Sequence, residues 1–151
     1  MILKSIRLTK AFNFEMAHAL HGYDGPCRHI HGHSYELFVT IAGTPVDDPD
    51  SAKYGMLMDF KDLKQMVREC IINDFDHALV LHRDFAPQNI KEVNELYGKL
   101  ILVDYQPTSE NLLFDFAERI KGRLPENVVL HSLKLRETLT SYAEWFAGDN
   151  P

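Results

Sequence analysis

His31-Gly32-His33-Ser34-Tyr35-Glu36-Leu37-Phe38-Val39-Thr40-Ile41 alternates along its length. The odd positions, His31, His33, Tyr35, Leu37, Val39 and Ile41, form one face that is apolar except at its histidine end. A period of two marks a half-buried strand. From Ile6 to His18 the same signal recurs on the even positions: Ile6, Leu8, Lys10, Phe12, Phe14, Met16 and His18. Only Lys10 breaks the apolar face, and it too ends in histidine. Residues two apart on a strand point to one side, so each strand presents its histidines on the face it buries.

The remaining chain alternates loops, helices and strands. Gly22-Tyr23-Asp24-Gly25-Pro26 is a loop by composition, as are Gly43-Thr44-Pro45 and Asp47-Asp48-Pro49-Asp50. Met56-Leu57-Met58 reads as a short strand leading into Asp59, which caps a helix reaching about Asn73. Phe60, Leu63, Met66, Val67, Cys70 and Ile71 fall at helical spacing. Ala78 to Leu81 is extended, Asn89–Tyr97 fits a short helix, and Leu100–Val103 a compact strand. Thr108 caps a second main helix with Leu112, Leu113, Phe116, Ala117 and Ile120 on one face. The odd positions Val129, His131, Leu133, Leu135 and Glu137 form another strand face, and Tyr142–Phe146 is the last strand. The expected class is α+β: an antiparallel sheet with two principal helices packed on one face, in a single domain over residues 1–151.

Composition narrows the function classes. A formal net charge of −6 argues against a nucleic-acid partner, which calls for a basic face. No apolar run approaches the ~20 residues of a membrane span, and Met1-Ile2-Leu3-Lys4 lacks the apolar core of a signal peptide. Cys27 and Cys70 are the only cysteines, too few for a disulfide framework, so a reducing cytoplasm is expected. Neither a glycine-rich phosphate loop nor a nucleophilic serine elbow is present.

The chemistry-bearing residues cluster around the histidine ends. His29, His31 and His33 alternate, but the outer two would lie about 13 Å apart along one strand, too far to share an ion at ~2.1 Å each. His31 and His33 joined by His18 from a neighbouring strand is feasible, and zinc suits three neutral imidazoles with one position left open. Cys27 could close that position as a fourth ligand, or stand beside it as a base or nucleophile. Cys70, on an apolar helix face, reads as a small buried hydrophobe. Asp76-His77 pairs a carboxylate with an imidazole, a combination able to tune a proton relay. Glu137 shares a face with Leu133 and Leu135, and a buried carboxylate needs hydrogen-bond donors. Glu110, in a helix first turn, is explained by the helix dipole.

These residues match a family. Phe14-Glu15-Met16-Ala17-His18, Cys27-x-x-x-His31-Gly32-His33, Gly55-Met56-Leu57-Met58-Asp59-Phe60 with Leu63-Lys64, Asp76-His77, Pro107-Thr108-Ser109-Glu110-Asn111 and Glu137-Thr138 occur in family order across nearly the whole chain. The chain resembles the group of 6-pyruvoyltetrahydropterin and 6-carboxytetrahydropterin synthases, the latter belonging to queuosine biosynthesis. The resemblance implies the T-fold, closed into barrels by oligomerisation, commonly as hexamers of two trimers with active sites at subunit interfaces. It implies Zn2+ on His18, His31 and His33, and 7,8-dihydroneopterin triphosphate as substrate. It makes Cys27 the general base, with Asp76 and His77 assisting proton transfer from an adjacent subunit. Glu137 then anchors the pterin ring through its N–H groups, and Thr108 is a further substrate-binding position.

Within the group, three residues separate Cys27 from His31, as in the carboxy branch, whereas the pyruvoyl branch typically has five. The expected reaction therefore forms 6-carboxytetrahydropterin, acetaldehyde and triphosphate. The alternatives are a pyruvoyl-forming sister enzyme and a non-catalytic zinc- or pterin-binding protein. Two features depart from the family pattern: Val80-Leu81 stands where a Leu-Asn pair is common, and residues 82–106 form a longer connection. Arg28, Lys53 and Arg136 are candidates to hold the triphosphate.

Overall fold

The computed structural model describes residues 4–151; the segment Met1–Leu3, read above for a signal peptide, lies outside the described residues. Strands β1 (Ile6–His18) and β2 (His31–Gly43) are the two alternating stretches. They pair antiparallel over their full length, with His18 opposite His31, Met16 opposite His33 and Phe14 opposite Tyr35. Phe12, Phe14, Met16, Tyr35, Leu37, Val39 and Ile41 are all buried, so the alternation reports the core face directly.

Helix α1 (Phe60–Val67) starts where Asp59 accepts a hydrogen bond from the Lys61 N–H at 2.8 Å. It runs without interruption through a π-helical turn, Arg68–Ile72, into a final turn, α2 (Asn73–Phe75). A strict 3.6-residue repeat after Met66, Val67, Cys70 and Ile71 would next turn Asp74 inward. The π turn adds one residue, so Phe75 is fully buried while Asp74 reaches Arg119 at 3.1 Å. Met56-Leu57-Met58, expected as a strand, is a bend: the Gly55 N–H donates to the Val46 carbonyl, the Val46 N–H donates to the Met56 carbonyl, and only Leu57 is buried.

Strands β3 (Ala78–His82) and β4 (Leu100–Val103) follow, with helix α3 (Ile90–Tyr97) between them. Helix α4 (Ser109–Lys121) is capped by Thr108, and β5 (Val128–Thr138) and β6 (Ser141–Phe146) complete the sheet. The order is β4-β3-β1-β2-β5-β6. The sheet is mixed rather than antiparallel throughout: β3 lies parallel to β1, and β4 parallel to β3. Helical connections return the chain in its original direction, which gives parallel neighbours. Ala78, Leu79, Val80 and Leu81 are all buried, as expected of a parallel strand covered on both faces.

Strand β5 also departs from the expected phase. Its register against β2 shifts where Thr40 pairs with Ser132 but Ile41 pairs with Leu130, leaving His131 as the extra residue of a bulge. Val128 and Leu130 therefore face the core together with Leu133 and Leu135, and Val129 is turned out to solvent. One core joins this sheet face to α1, the π turn and α4; Phe116 of α4 packs edge-on against Phe75 at 5.0 Å and Phe14 at 6.3 Å. Cys70 belongs to that core, as expected.

Candidate functional site

The hairpin register assembles the histidines. His18 and His31 sit directly opposite one another, and His33 is two residues further along the same face. Ligand nitrogens of all three lie within 4.8 Å of one another. The His18 Nδ1–H donates to the Pro107 carbonyl at 2.6 Å, and the His31 Nδ1–H donates to the His29 carbonyl at 2.7 Å. Those bonds fix both tautomers and leave both Nε2 atoms as bare lone pairs, 3.1 Å apart. Two lone pairs at that distance repel unless a cation lies between them; two ligands of one tetrahedral ion at ~2.05 Å would be ~3.3 Å apart.

His33 adds the third donor. Its Nε2 is buried and makes no hydrogen bond among the described residues, although Glu137 Oε1 stands 3.3 Å away out of alignment. A buried ring nitrogen left without a partner is costly, and coordination satisfies it. Burial lowers the pKa of His18, against the pull of the Pro107 carbonyl, and lowers that of His33 against the nearby Glu137 charge. Both shifts favour neutral imidazole, the metal-binding form. The donor set fits a divalent cation, with outer hydrogen bonds already in place to orient the rings.

Beneath the triad, Tyr35 stacks on Phe14 at 5.2 Å and meets His33 edge-on at 5.5 Å. Its hydroxyl is buried without a partner among the described residues, and burial, reinforced by Glu137 and Cys27, pushes its pKa up. Tyr35 stays a neutral phenol.

A cavity of about 480 Å³ opens beside the triad, lined by His18, Cys27, Gln106, Thr108, Ser109 and Glu137 among others. Three predicted site residues, Cys27, Thr108 and Glu137, thus share one space with His18 of the triad. Cys27 sits in a short 3-10 turn, Pro26–Arg28, half-buried and free of any disulfide. Glu137, near the end of β5, accepts a short hydrogen bond from the Ser109 hydroxyl. Thr108 spends its hydroxyl on the N-cap, accepting from the Asn111 N–H at 3.2 Å.

Asp76 and His77 lie elsewhere. They precede β3, which flanks β1 on the side away from β2, and His77 lines a second hollow of about 390 Å³ with Glu15, Ala17 and Ser34, to which Met16 and His33 of the triad face also contribute. The side chains of Glu15, Ala17 and Ser34 occupy the face of the hairpin opposite the histidines. Asp76 Oδ1 accepts the Glu15 N–H at 2.9 Å and lies 3.0 Å from His77 Nδ1. His77 holds φ +61° and is largely exposed, an uncommon backbone for a non-glycine residue. Neither Asp76 nor His77 lines the cavity that holds Cys27.

Among the basic candidates, Lys53 follows the far end of β2 and pairs with Asp59 at 3.1 Å. Arg136 pairs with Glu36 at 3.4 Å on the sheet face away from Glu137, and Arg28 donates to His29 Nε2 at 3.3 Å. Three contributors escaped the sequence reading as such: the Pro107 carbonyl, Ser109 and Tyr35. Tyr35 was in phase with the histidines, and Ser109 sat in the first turn of a capped helix, yet neither spacing indicates a partner across the sheet.

Known proteins share this fold and much of this sequence. The family model described as 6-pyruvoyl tetrahydropterin synthase matches residues 7–147. The chain is 34% identical to the 6-carboxy-5,6,7,8-tetrahydropterin synthase of Haemophilus influenzae, covering 92% of this chain and 97% of that protein. It is 32% identical to the protein of the same name from Synechocystis sp., covering 91% of each. Among solved structures, the 6-pyruvoyl tetrahydropterin synthase of Caenorhabditis elegans superposes with a TM-score of 0.66 at 23% identity, over 95% of this chain and 96% of that one. An uncharacterized protein from Wolinella succinogenes superposes with a TM-score of 0.75 at 21% identity, over 95% of this chain and 98% of that one. With the T-fold, the triad and a family match over nearly its whole length, this chain belongs to the 6-pyruvoyl tetrahydropterin synthase family.

Proposed function

We propose that the protein is a zinc-dependent 6-carboxy-5,6,7,8-tetrahydropterin synthase, a lyase of queuosine biosynthesis. It would convert 7,8-dihydroneopterin triphosphate and water to 6-carboxytetrahydropterin, acetaldehyde and triphosphate. The observation that carries the reading is a cluster of three imidazoles whose ligand nitrogens lie within 4.8 Å of one another, one of which, His18, lines the cavity that also holds Cys27 and Glu137. The carboxy branch is supported by the three-residue spacing between Cys27 and His31 and by the names of relatives at 34% and 32% identity.

His18, His31 and His33 would hold the ion. When bound there, zinc supplies Lewis acidity to the side-chain oxygens of the substrate, where negative charge develops. Glu137 accepts hydrogen bonds from the pterin N–H groups, and its bond from Ser109 holds the carboxylate in place. Cys27 takes the proton from the side-chain carbon as general base, and rejection of triphosphate and cleavage of the side chain follow. Asp76 and His77 serve the proton transfers from a neighbouring subunit, in a homohexamer of two trimers whose sites lie at subunit interfaces. Their position outside the cavity that holds Cys27 supports a role in trans.

The test is incubation of zinc-loaded protein with 7,8-dihydroneopterin triphosphate, with products identified by mass and acetaldehyde assayed in parallel. Carboxytetrahydropterin with acetaldehyde is expected. A pyruvoyl product without acetaldehyde would move the chain to the sister branch, and unconsumed substrate would overturn the catalytic reading.

A further inference from the structure

The connection over residues 82–106 reaches the loop that carries Cys27 at two points, and both fall on His21. Gln106 holds the His21 backbone: its Nε2 donates to the His21 carbonyl at 2.8 Å, and its Oε1 accepts the His21 N–H at 3.2 Å. One side-chain amide thus mimics a strand neighbour. Phe85, in the 3-10 turn Arg83–Phe85, lies flat against the His21 ring, with centroids 3.5 Å apart and planes within 8°.

His21 is joined in turn to the thiol residue. The Leu20 N–H donates to the Cys27 carbonyl at 3.0 Å, so residues 20 and 27 are bound side by side. The Tyr23 N–H bonds back to the Leu20 carbonyl, and Gly22, at φ +76°, supplies the left-handed conformation that turn requires. Gln106 itself is fixed from behind, its carbonyl accepting from Thr108 N–H at 2.8 Å and Asn111 Nδ2 at 3.0 Å. The same strand-to-helix corner supplies the Pro107 carbonyl to His18. His21, Cys27 and Gln106 all border the cavity.

We propose that Gln106 is a positioning residue for Cys27, with Phe85 as its auxiliary. Together they tie the thiol loop to the corner that orients the metal site, so that base and ion keep one geometry. The idea rests on the proposed reaction for its kinetic consequence, while the tether itself can be read without turnover. No atom of Gln106 need touch substrate; its effect passes through the His21 backbone to the Leu20–Cys27 pair.

The informative variant is Gln106→Glu, which keeps shape and the acceptor but replaces the donor with an oxygen facing the His21 carbonyl. Misplacement of a catalytic group by about 1 Å costs up to about 100-fold, so kcat should fall about 10- to 100-fold with KM within about twofold. Zinc content should be unchanged. Phe85→Ala should lower kcat a few-fold, and Phe85→Tyr, which keeps the stack, should restore it. Independently of turnover, iodoacetamide labelling of Cys27, referenced to buried Cys70, should accelerate about three- to tenfold in Gln106→Glu as the loop is released. Unchanged kcat in Gln106→Glu overturns the proposal, as does unchanged Cys27 labelling; a lowered melting temperature alone would mark Gln106 as structural only. If the wild type forms no product while labelling responds as stated, the tether stands and the proposed reaction falls.

Discussion

The histidine end of the β1–β2 hairpin and the Asp76–His77 corner carry comparable chemistry but are built in opposite ways. The hairpin alone supplies the three donors: its register places His18 against His31 and its alternation adds His33, while the carbonyls of His29 and, from outside the hairpin, Pro107 fix two of the rings. The corner is exposed and lines a different hollow from the one that holds Cys27. A metal site needs three donors within a few ångströms, which one hairpin can supply. The proton relay proposed for the corner would reach the same cavity from a second chain.

The contrast breaks most sharply at the hairpin. His31→Ala should abolish metal retention and reduce turnover by at least about 1,000-fold, the equivalent of the several kcal/mol of charge stabilisation a metal supplies. Metal analysis and product formation check it; full metal content in the variant would mean that the triad is not the site.

Complementation tests the corner. Cys27→Ala and His77→Ala should each be nearly inactive, yet refolding the two together at equal amounts should restore activity to about one quarter of wild type, since random mixing pairs two intact contributions in that share of sites. Failure of the mixture to recover activity would confine the chemistry to one chain and remove Asp76 and His77 from it.

The smallest effect concerns stability. Burial alone would raise the Asp76 pKa, but the Glu15 N–H, His77 and Lys99 outweigh it and hold the carboxyl below its usual 3.8. A carboxyl depressed in the folded state contributes stability above its unfolded pKa and loses it as pH falls through the folded value. Asp76→Asn should therefore flatten the acid limb of urea midpoints measured between about pH 3 and pH 5. An unchanged acid limb would mean that the corner is not organised by this charge.

The same contrast governs what could be read from the sequence. The two alternating strands, the caps at Asp59 and Thr108 and the metal triad were legible because period and capping are local signals. The parallel pairing of β3 and β4 was hidden in unalternating runs, Ala78–Leu81 and Leu100–Val103, which mark burial on both faces but not direction. The π turn at Arg68–Ile72 and the bulge at His131 each insert one residue, and a periodicity argument carried through them comes out with the wrong phase, as it did for Val129. The support of the site by Pro107, Ser109 and Gln106 depends on tertiary contacts spanning 28 to 89 residues. No local pattern encodes those.

The most direct test of the account is metal content and turnover in Cys27→Ala. If three imidazoles hold the ion and the thiol acts beside it, as proposed, the variant should retain zinc at the wild-type ratio while turnover falls at least about 100-fold. Loss of zinc together with the thiol would make Cys27 a fourth ligand and the site a closed, structural one.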